Sequence, residues 1–428
     1  MKKQFNIAVV GLGQVGIYLL NELNTKKKDI EEKTGKKINI VAISAKNINK
    51  KRQFKINKKI FFKNPLEIFK KKKVDILFEA IGLSDGISKK LVETALKNKV
   101  NVITPNKTLI AKHGDYLAKL AEQNKVNLEF EASVAGGIPI IRTLRDGLIS
   151  NDVNWFAGIL NGTSNFIFSK MDTEKKSFSN ALQLAQELGF AEPDPTLDIN
   201  GTDAAQKTSI LSFISFAADI APSDVFFEGI ENIDSQDMEY GKQLGLTLKP
   251  LSVGRSSKFG ISMGSFPAFI KKDQILASIN NESNVVEINT ENLSSTAFSG
   301  PGAGGFPTAC SVLNDIIDIG QGKFFDYSKL LNKKNILNFD EYISPRYLKI
   351  MVKDETGVVA KISSLIAKKN LSIDNLIQKD QDKTDDLIPL VIVLGPSKEK
   401  VVIELIKDLK KLEAISGNIQ HIRIFSPK

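Results

Sequence analysis

A short apolar segment near the start of the chain runs directly into a glycine-rich turn. Residues 5–10 have the apolar character of a buried strand, and Gly11-Leu-Gly-Gln-Val-Gly16 follows before an apolar helical pattern. In this spacing the glycines permit a tight turn and close approach of the backbone to a ligand, while the helix N-terminus faces a pyrophosphate. The pattern predicts a dinucleotide-binding unit, although a tight turn without a ligand would have the same spacing.

Strands and helices continue to alternate through the first 130 residues. Apolar runs predict further strands at residues 38–44, 74–79, 100–103 and 126–130, with helical patterns between most of them. This alternation predicts an α/β fold of the Rossmann type, with a doubly wound parallel sheet. Such a sheet binds its ligand at the carboxyl ends of its strands. Lys107 follows the fourth predicted strand, so we expect it to orient a substrate or polarise a carbonyl group.

The end of the second predicted strand bears on the choice of cofactor. It reads Ile43-Ser-Ala-Lys46 and has no Asp or Glu that would bind a ribose 2′-hydroxyl. Lys46, Lys50 and Arg52 are instead available to a 2′-phosphate. The sequence therefore favours NADP over NAD, with NAD still open.

The pattern changes after residue 130, and a length of 428 residues is enough for two or three domains. Towards the end of the chain the predicted order is βαββαβ, which is the ferredoxin-like arrangement. We expect four parts: a dinucleotide-binding domain at residues 1–130, a mixed α+β region at residues 131–299, a polar connector at residues 321–345 and the ferredoxin-like unit at residues 346–428.

The composition indicates a globular enzyme, with 42% hydrophobic and 25% charged residues. The net charge of +10 comes from lysines spread along the whole chain, without a recognition motif, so no nucleic-acid partner is expected. Cys310 is the only cysteine, which excludes an intrachain disulfide, and two histidines argue against a zinc site. Neither a signal peptide nor a membrane span is predicted, so we expect a cytoplasmic protein without a membrane partner.

Asp203 and Lys207 stand four positions apart in an Ala-rich stretch. In a helix both side chains would project from one face, where a carboxylate beside an amine could bind a small amino acid and move a proton. A solvated salt bridge is the alternative for such a pair.

Residues 131–139, Glu-Ala-Ser-Val-Ala-Gly-Gly-Ile-Pro, combine one carboxylate with many small residues. Converging main-chain oxygens beside a carboxylate form a hard-cation environment, so the segment is a candidate cation site. A structural turn without a cation is the alternative.

A series of motifs carries a resemblance that covers essentially the whole chain; in chain order they are residues 11–16, 105–107, 131–139, 161–166, 189–195, 198–207 and 300–315. With these motifs the chain closely resembles homoserine dehydrogenase, and its C-terminal unit resembles an ACT domain, a regulatory module that binds small ligands. Two ACT patterns differ from those of relatives, Asp354-Glu-Thr-Gly357 and Leu394-Gly-Pro, which leaves the identity of the effector open. The resemblance implies that residues 300–320 complete the dinucleotide-binding domain, that residues 131–299 form a catalytic and dimerisation domain, and that residues 346–428 form a regulatory domain.

The resemblance implies a role for individual residues. Lys207 would donate the proton and Lys107 would be a second lysine at the reacting oxygen. Asp203 and Glu192 would bind the amino-acid substrate, with Asp198 supporting the lysine. The implied cofactor-binding residues are Gly11, Leu12, Gly13, Gln14, Val15, Gly16, Lys46, Lys107, Gly189, Glu192 and Gly302. The implied ligands of a monovalent, sodium-like cation are Glu131 and the backbone oxygens of Val134, Gly136 and Ile138.

The activity that the resemblance implies is reversible, NAD(P)H-dependent reduction of L-aspartate 4-semialdehyde to L-homoserine, in threonine, methionine and isoleucine biosynthesis. It also implies a homodimer or homotetramer and feedback control through the ACT domain, with L-threonine as the expected effector.

Two alternatives remain open at this point. A phosphorylating semialdehyde dehydrogenase would need a thiolate, for which Cys310 is the sole candidate. A non-catalytic sensor of cofactor and amino acid would not require the lysines and carboxylates that this sequence contains.

Overall fold

The computed structural model describes residues 4–52, 54–327, 334–378 and 387–427. The chain forms two compact units, each built from three segments. Among the described residues, no helix has both the length and the apolar character that crossing a membrane requires. Residues 1–162, 203–225 and 282–334 form the first unit, and residues 163–202, 226–281 and 335–428 form the second.

The N-terminal part of the first unit is a parallel sheet with helices, as predicted. Its strand order is β3-β2-β1-β4-β5-β6, and every neighbouring pair is parallel. The elements are β1 (Gln4–Val10), α1 (Gln14–Thr25), α2 (Lys27–Thr34), β2 (Lys37–Ser44), β3 (Phe61–Phe62), α3 (Ile68–Lys71), β4 (Ile76–Glu79), α4 (Ile87–Lys97), β5 (Asn101–Ile103), α5 (Lys107–Asn124) and β6 (Leu128–Glu129).

The central strand β1 explains why this sheet is parallel and covered on both faces. Ile7, Ala8 and Val9 are consecutive and all fully buried, so apolar side chains leave both faces of the strand. Burial on both faces requires helices above and below the sheet, which is the doubly wound arrangement. The predicted fold class is therefore confirmed. The two-residue edge strand β3 was not predicted, because it is too short to show a periodic pattern.

The middle of the chain supplies elements to both units. Lys258 and Phe259 reverse the chain between two long antiparallel strands of this region. The elements are α6 (Ile140–Arg142), β7 (Val153–Ile159), α7 (Gly162–Glu174), α8 (Phe178–Glu187), α9 (Thr196–Ile199), α10 (Thr202–Phe216), β8 (Phe226–Phe227), α11 (Ser235–Gln243), β9 (Leu246–Ser257), β10 (Gly260–Lys271), β11 (Ser283–Thr290), β12 (Ser294–Pro301) and α12 (Gly305–Gln321).

Within the first unit, β11 pairs antiparallel with both β7 and β12. The chain then leaves β12 and enters α12, which returns to the parallel sheet. Val312 and Ile316 of α12 share one apolar core with Ile7 and Val9 of β1. The C-terminal end of this region thus completes the core that the first strand began.

The C-terminal part of the second unit has the predicted βαββαβ order. Its sheet has the order β14-β15-β13-β16, with antiparallel pairs, as in a ferredoxin-like fold. Residues 328–333 of the predicted connector and residues 379–386 of the predicted C-terminal unit lie outside the described residues. The elements are β13 (Ile343–Lys353), α13 (Val358–Lys368), β14 (Ile373–Gln378), β15 (Leu387–Lys398), α14 (Glu399–Leu409) and β16 (Ile415–Ile424).

The central strands β13 and β15 of this C-terminal sheet are buried on both faces. One face packs on its own helices, with Leu348 and Ile350 facing Ile362 and Leu405 in one core. The other face contributes to a core that includes α7, β9 and β10. In addition, β16 pairs in parallel with β10. The sheet is therefore an integral part of the second unit.

Candidate active site

The glycine turn after β1 contains two positions at which only glycine fits and a third at which a Cβ atom would have free space. Gly11 has a φ of +98°, and a Cβ atom there would lie 2.2 Å from the carbonyl oxygen of Ala80. A Cβ atom at Gly16 would lie 2.1 Å from the carbonyl oxygen of Gly11. At Gly13, immediately before α1, a Cβ atom would meet nothing within 4 Å. The open position beside a helix N-terminus leaves room for a phosphate group.

A cavity of about 400 Å³ adjoins this turn in the first unit. Its wall is formed by residues 13–16, by Ala80 and Lys107 after strands β4 and β5, and by Lys207 of α10. Gly136 and residues 302–305, which are nearly all glycine, also line it. A cavity of this size at the carboxyl edge of a parallel sheet suits a small ligand.

Two lysines share one buried carboxylate at this cavity. The Nζ atom of Lys207 lies 2.7 Å from Oδ2 of Asp203, and Lys107 forms an ion pair with Oδ1 of the same residue. Lys207 also donates a hydrogen bond of 2.8 Å to the carbonyl oxygen of Leu160. Asn161 donates to Oδ2 of Asp203 at 2.9 Å. The pair that sequence spacing placed on one helix face is thus joined by a lysine from a distant helix.

Electrostatics keep this carboxylate ionised. Burial by itself would raise the pKa of the Asp203 carboxyl, but the ammonium groups of Lys207 and Lys107 outweigh burial and hold that pKa well below its usual range. The cluster therefore carries two positive charges and one negative charge. Lys207 is only 9% exposed, whereas the Lys107 side chain is 37% exposed.

Glu79 at the end of β4 organises the segment that carries Lys107. Its fully buried carboxylate accepts hydrogen bonds from Ser88 Oγ at 2.7 Å, Thr104 Oγ1 at 2.8 Å and the Ile81 amide at 2.8 Å. Asn106 in turn caps α5, which begins at Lys107. Sequence reasoning placed Glu79 at the sheet edge but gave it no role; its position directly after a buried strand was the available signal.

In the second unit, the start of α7 holds the loop that follows α8. Thr163 Oγ1 donates to the carbonyl oxygen of Phe190 at 2.6 Å, and Ser164 Oγ donates to that of Asp198 at 2.9 Å. Asn165 Nδ2 donates to the carbonyl oxygen of Asn281 at 2.9 Å. These polar residues of the 161–166 motif thus position backbone, a role that their sequence pattern alone did not reveal.

Comparison with known proteins matches the chain along its whole length. Models of the homoserine dehydrogenase NAD-binding domain, of homoserine dehydrogenase and of the ACT domain match residues 11–131, 139–317 and 346–411. The chain is 37% identical to a homoserine dehydrogenase of Neisseria gonorrhoeae over 437 residues, which cover 99% of both chains. The chain belongs to the homoserine dehydrogenase family.

Solved structures agree with this membership. A homoserine dehydrogenase from Thiobacillus denitrificans has a TM-score of 0.92 and 32% identity to the chain, with 99% of each chain covered. A hyperthermophilic archaeal homoserine dehydrogenase in complex with NADPH has a TM-score of 0.62 and 25% identity, and matches 76% of this chain and 99% of its own. The activity is that of the homoserine dehydrogenases: NAD(P)-dependent oxidoreduction at a CH–OH group.

Family membership disfavours the thiolate alternative, and the structure agrees. Cys310 lies on α12 and is half-buried. It is not among the described residues that line the cavity. A nucleophilic cysteine would have to reach the reacting carbonyl.

The predicted cofactor residues fall in both units. Gly13, Gln14, Val15, Gly16, Lys107 and Gly302 line the cavity. Gly11 and Leu12 lie within the turn, and Lys46 is exposed beyond β2. Gly189 and Glu192 belong to the second unit, as does Asp198, and both Gly189 and Glu192 are exposed on the loop after α8.

Arg52 ties the segment after β2 to the glycine turn. Its guanidinium donates to the carbonyl oxygens of Asn47 at 2.7 Å, Lys50 at 2.9 Å and Leu12 at 3.3 Å. Since these contacts occupy much of the guanidinium, Lys46 and Lys50 are better placed than Arg52 to meet a phosphate.

The residues of the predicted cation site fit coordination by main-chain oxygens but not by the Glu131 carboxylate. That carboxylate accepts hydrogen bonds from the amides of Ile141 at 2.9 Å and Arg142 at 2.8 Å. Two successive left-handed residues, Ala135 and Gly136, turn the backbone here, and the Gly136 carbonyl accepts from Ser311 Oγ at 2.7 Å. A carbonyl oxygen retains a second lone pair for a weakly charged cation.

No cluster of three or more His, Cys, Asp or Glu side chains suited to a metal occurs in the part of the chain that the structure describes. Side-chain coordination of a transition metal therefore has no candidate there.

Proposed function

We propose that the cavity of the first unit binds a nicotinamide dinucleotide against the N-terminus of α1, and that the adjoining lysines act in the reversible interconversion of L-homoserine and L-aspartate 4-semialdehyde. One observation carries the proposal: Lys107 and Lys207, held by the one carboxylate of Asp203, line the same cavity as the glycine turn. A bound nicotinamide supplies the hydride in one direction and accepts it in the other.

Lys207 is the proposed proton donor to the alkoxide. Negative charge develops on the aldehyde oxygen during reduction, and a nearby ammonium group both stabilises that charge and donates the proton. Asp203 and the Leu160 carbonyl hold the Lys207 amine in a fixed, largely buried position. Because that order is established before the substrate arrives, little reorganisation is needed during reaction.

Lys107 has the complementary role in this proposal. Its side chain is more exposed than that of Lys207 and begins α5 at the sheet edge. It can therefore exchange protons with solvent and polarise the carbonyl oxygen. Asp203 bridges the two amines, so a change in the charge of one lysine alters the electrostatic environment of the other.

Asp203 and Glu192 remain the proposed contacts of the α-ammonium group of the substrate, with Asp198 supporting the lysine. For Asp203 the support is its ionised state; its present contacts with two lysines mean that it also orients them. For Glu192 the support is an exposed carboxylate on a loop that α7 side chains hold in place.

NADP is the proposed cofactor, with NAD as the less favoured substitute. The support is the absence of Asp or Glu from residues 44–50 and the presence there of Lys46 and Lys50. The archaeal relative described above was solved with NADPH, which adds to this support.

A sodium-like cation is proposed at residues 131–139. The main-chain carbonyls of Glu131, Val134, Gly136 and Ile138 would hold it. The C-terminal ACT domain is proposed to bind L-threonine as an effector, and the protein to form a homodimer or homotetramer. The domain division predicted from the sequence is likewise retained as a proposal.

Homoserine-dependent reduction of NADP and NAD, followed by absorbance of the reduced nicotinamide, tests the proposal. We expect turnover with homoserine, a lower KM for NADP than for NAD, and dependence on sodium or potassium salts. Cofactor binding without any turnover of homoserine would refute the catalytic assignment and favour the sensor. Adding threonine to the same assay tests the effector.

A further inference from the structure

Asn284 near the start of β11 is buried, yet its side-chain amide lacks partners. The residue is 1% exposed. Neither Oδ1 nor Nδ2 has a hydrogen-bond partner among the residues that the structure describes. Leaving a buried donor and acceptor unpaired destabilises a protein, and an apolar side chain of similar size would avoid that penalty. The amide is thus expected to gain partners in another state of the protein.

The amide lies against the glycine segment that walls the cavity. Asn284 is the register partner of Gly300 on β12. A Cβ atom at Gly302 would lie 2.0 Å from Cγ and Nδ2 of Asn284, and one at Gly162 would lie 3.5 Å from its Oδ1. Because both neighbours are glycines, they can offer the amide only backbone groups as hydrogen-bond partners.

Gly302 is the layer between Asn284 and the cavity. On its other side, a Cβ atom at Gly136 would lie 2.6 Å from the Gly302 carbonyl oxygen. Residues 302–305 line the cavity, and Gly304 has a φ of +110°, which only glycine adopts easily. A segment without bulky side chains can shift slightly when a ligand presses on it.

We propose that Asn284 is a positioning residue for the bound cofactor. When a dinucleotide occupies the cavity, residues 302–304 shift so that their backbone groups donate to and accept from the Asn284 amide, which fixes the segment against the ligand. The proposal rests on the proposed cofactor site. The proposal makes a thermodynamic prediction. The amide is unpaired in the free protein and paired in the complex, so removing it should weaken cofactor binding without destabilising the free protein.

The test compares Asn284→Leu with the wild type in the full-length protein. The dissociation constant of NADPH is measured by nicotinamide fluorescence without substrate, and the melting temperature is measured without cofactor. We expect the Kd to rise about fivefold to tenfold, as for one lost hydrogen bond. The melting temperature of the free protein should stay equal to the wild-type value or rise.

Val286→Ala is the matched control, because Val286 is fully buried two residues along the same strand. It should lower the melting temperature and leave the Kd unchanged. If Asn284→Leu does not fold, Asn284→Ala removes the amide without adding bulk near Gly302, and the same comparison applies.

A Kd within twofold of the wild-type value, or a rise that Val286→Ala reproduces, would overturn the proposal. A melting temperature that falls further than in Val286→Ala would also overturn it, since the amide would then stabilise the free fold. If the wild-type protein binds no NADPH or NADP, the proposed function fails instead, so the two failures are distinguishable.

Discussion

At the level of single residues, charge balance explains the arrangement around Asp203. Two ammonium groups and one carboxylate leave the site with excess positive charge before the substrate binds. In the proposed reaction, the alkoxide that develops during reduction would offset that excess, so the site would favour the transition state over the neutral aldehyde. The same carboxylate holds both amines in place in the absence of substrate.

Lys207→Ala removes the proposed proton donor. We expect kcat to fall by about two to four orders of magnitude, the usual range for an acid–base group. Lys112→Ala is the control, since the Lys112 ammonium pairs with Asp85 on the surface and both side chains are 53% exposed. Steady-state turnover of homoserine provides the measurement. Near-normal turnover in Lys207→Ala would remove this lysine from the role.

Gly11→Ala and Gly13→Ala separate packing from ligand binding in the glycine turn. At Gly11 the methyl group would collide with the Ala80 carbonyl at a positive φ, so the melting temperature should fall. At Gly13 the space is open and φ is −79°, so stability should be unchanged. The Gly13 methyl group would still obstruct the phosphates, and the Kd of NADPH should rise about tenfold.

Calorimetry and fluorescence titration of both variants measure these effects. A Gly13→Ala protein with wild-type affinity would show that the dinucleotide does not lie against this turn.

At the level of elements, the contact between β13 and α11 contains a buried acid with an unusual pKa. Burial raises the pKa of the Asp237 carboxyl to about 6, even though the Lys349 ammonium group lies 3.0 Å away. Tyr347 also donates a hydrogen bond of 3.1 Å to it. Because the pKa is raised from 3.8, the stabilising contribution of this group is fully present below about pH 3.8 and is lost as the pH rises through about 6.

Asp237→Asn should remove this pH dependence, since an amide does not titrate. The melting temperature of the variant relative to wild type is expected to increase between about pH 4 and pH 7. Asp234→Asn is a control of opposite sign: Asp234 also lies near Lys349, burial opposes its charge, and hydrogen bonding to Lys349 nonetheless lowers its pKa. Its melting temperature relative to wild type should fall as the pH rises towards about 3.8 and stay level above that pH, because a lowered pKa confines the change to pH values below the ordinary value of 3.8.

Thermal melting of the three proteins at matched ionic strength gives both differences. Parallel curves for wild type and Asp237→Asn would contradict the raised pKa.

At the level of the whole molecule, the C-terminal sheet shares a core with helices and strands of the middle region. Tyr347, Val391 and Ile422 pack in one cluster with Phe166 of α7 and Phe269 of β10. An effector bound to the ACT domain could therefore act through packing on α7, whose first residues hold the loop after α8. Coupling of this kind is a free energy shared by two sites.

The same packing predicts that residues 343–428 cannot be deleted cleanly. Each large apolar side chain in the shared core contributes about 1.5–3 kcal/mol, so losing five of them removes on the order of 10 kcal/mol, comparable to the stability of a domain. We expect the truncated chain to be insoluble or to melt without cooperativity. Soluble yield and circular dichroism measure this.

Leu376→Gln is a suitable control, because Leu376 on β14 is 41% exposed and its change should leave the fold intact. A truncated protein that melts cooperatively near the full-length temperature would contradict the shared core. Effector sensitivity is consequently better tested with point variants than by deletion.

The sequence alone determined the features that depend on local pattern. Apolar runs and the glycine spacing predicted the parallel sheet, and the βαββαβ order predicted the C-terminal unit. Both signals are patterns of neighbouring residues, so they can be recognised in the sequence. The i,i+4 spacing also placed Asp203 and Lys207 on one helix face.

Only the tertiary structure decided which distant groups meet. Lys107 stands about a hundred positions before Asp203, and no local pattern joins them. Likewise, the Glu131 carboxylate accepts hydrogen bonds from the amides of Ile141 and Arg142, and the Asn284 amide, next to Gly302, has no hydrogen-bond partner among the residues described. Such facts depend on how segments remote in sequence pack, because burial and hydrogen-bond partners are properties of the folded neighbourhood.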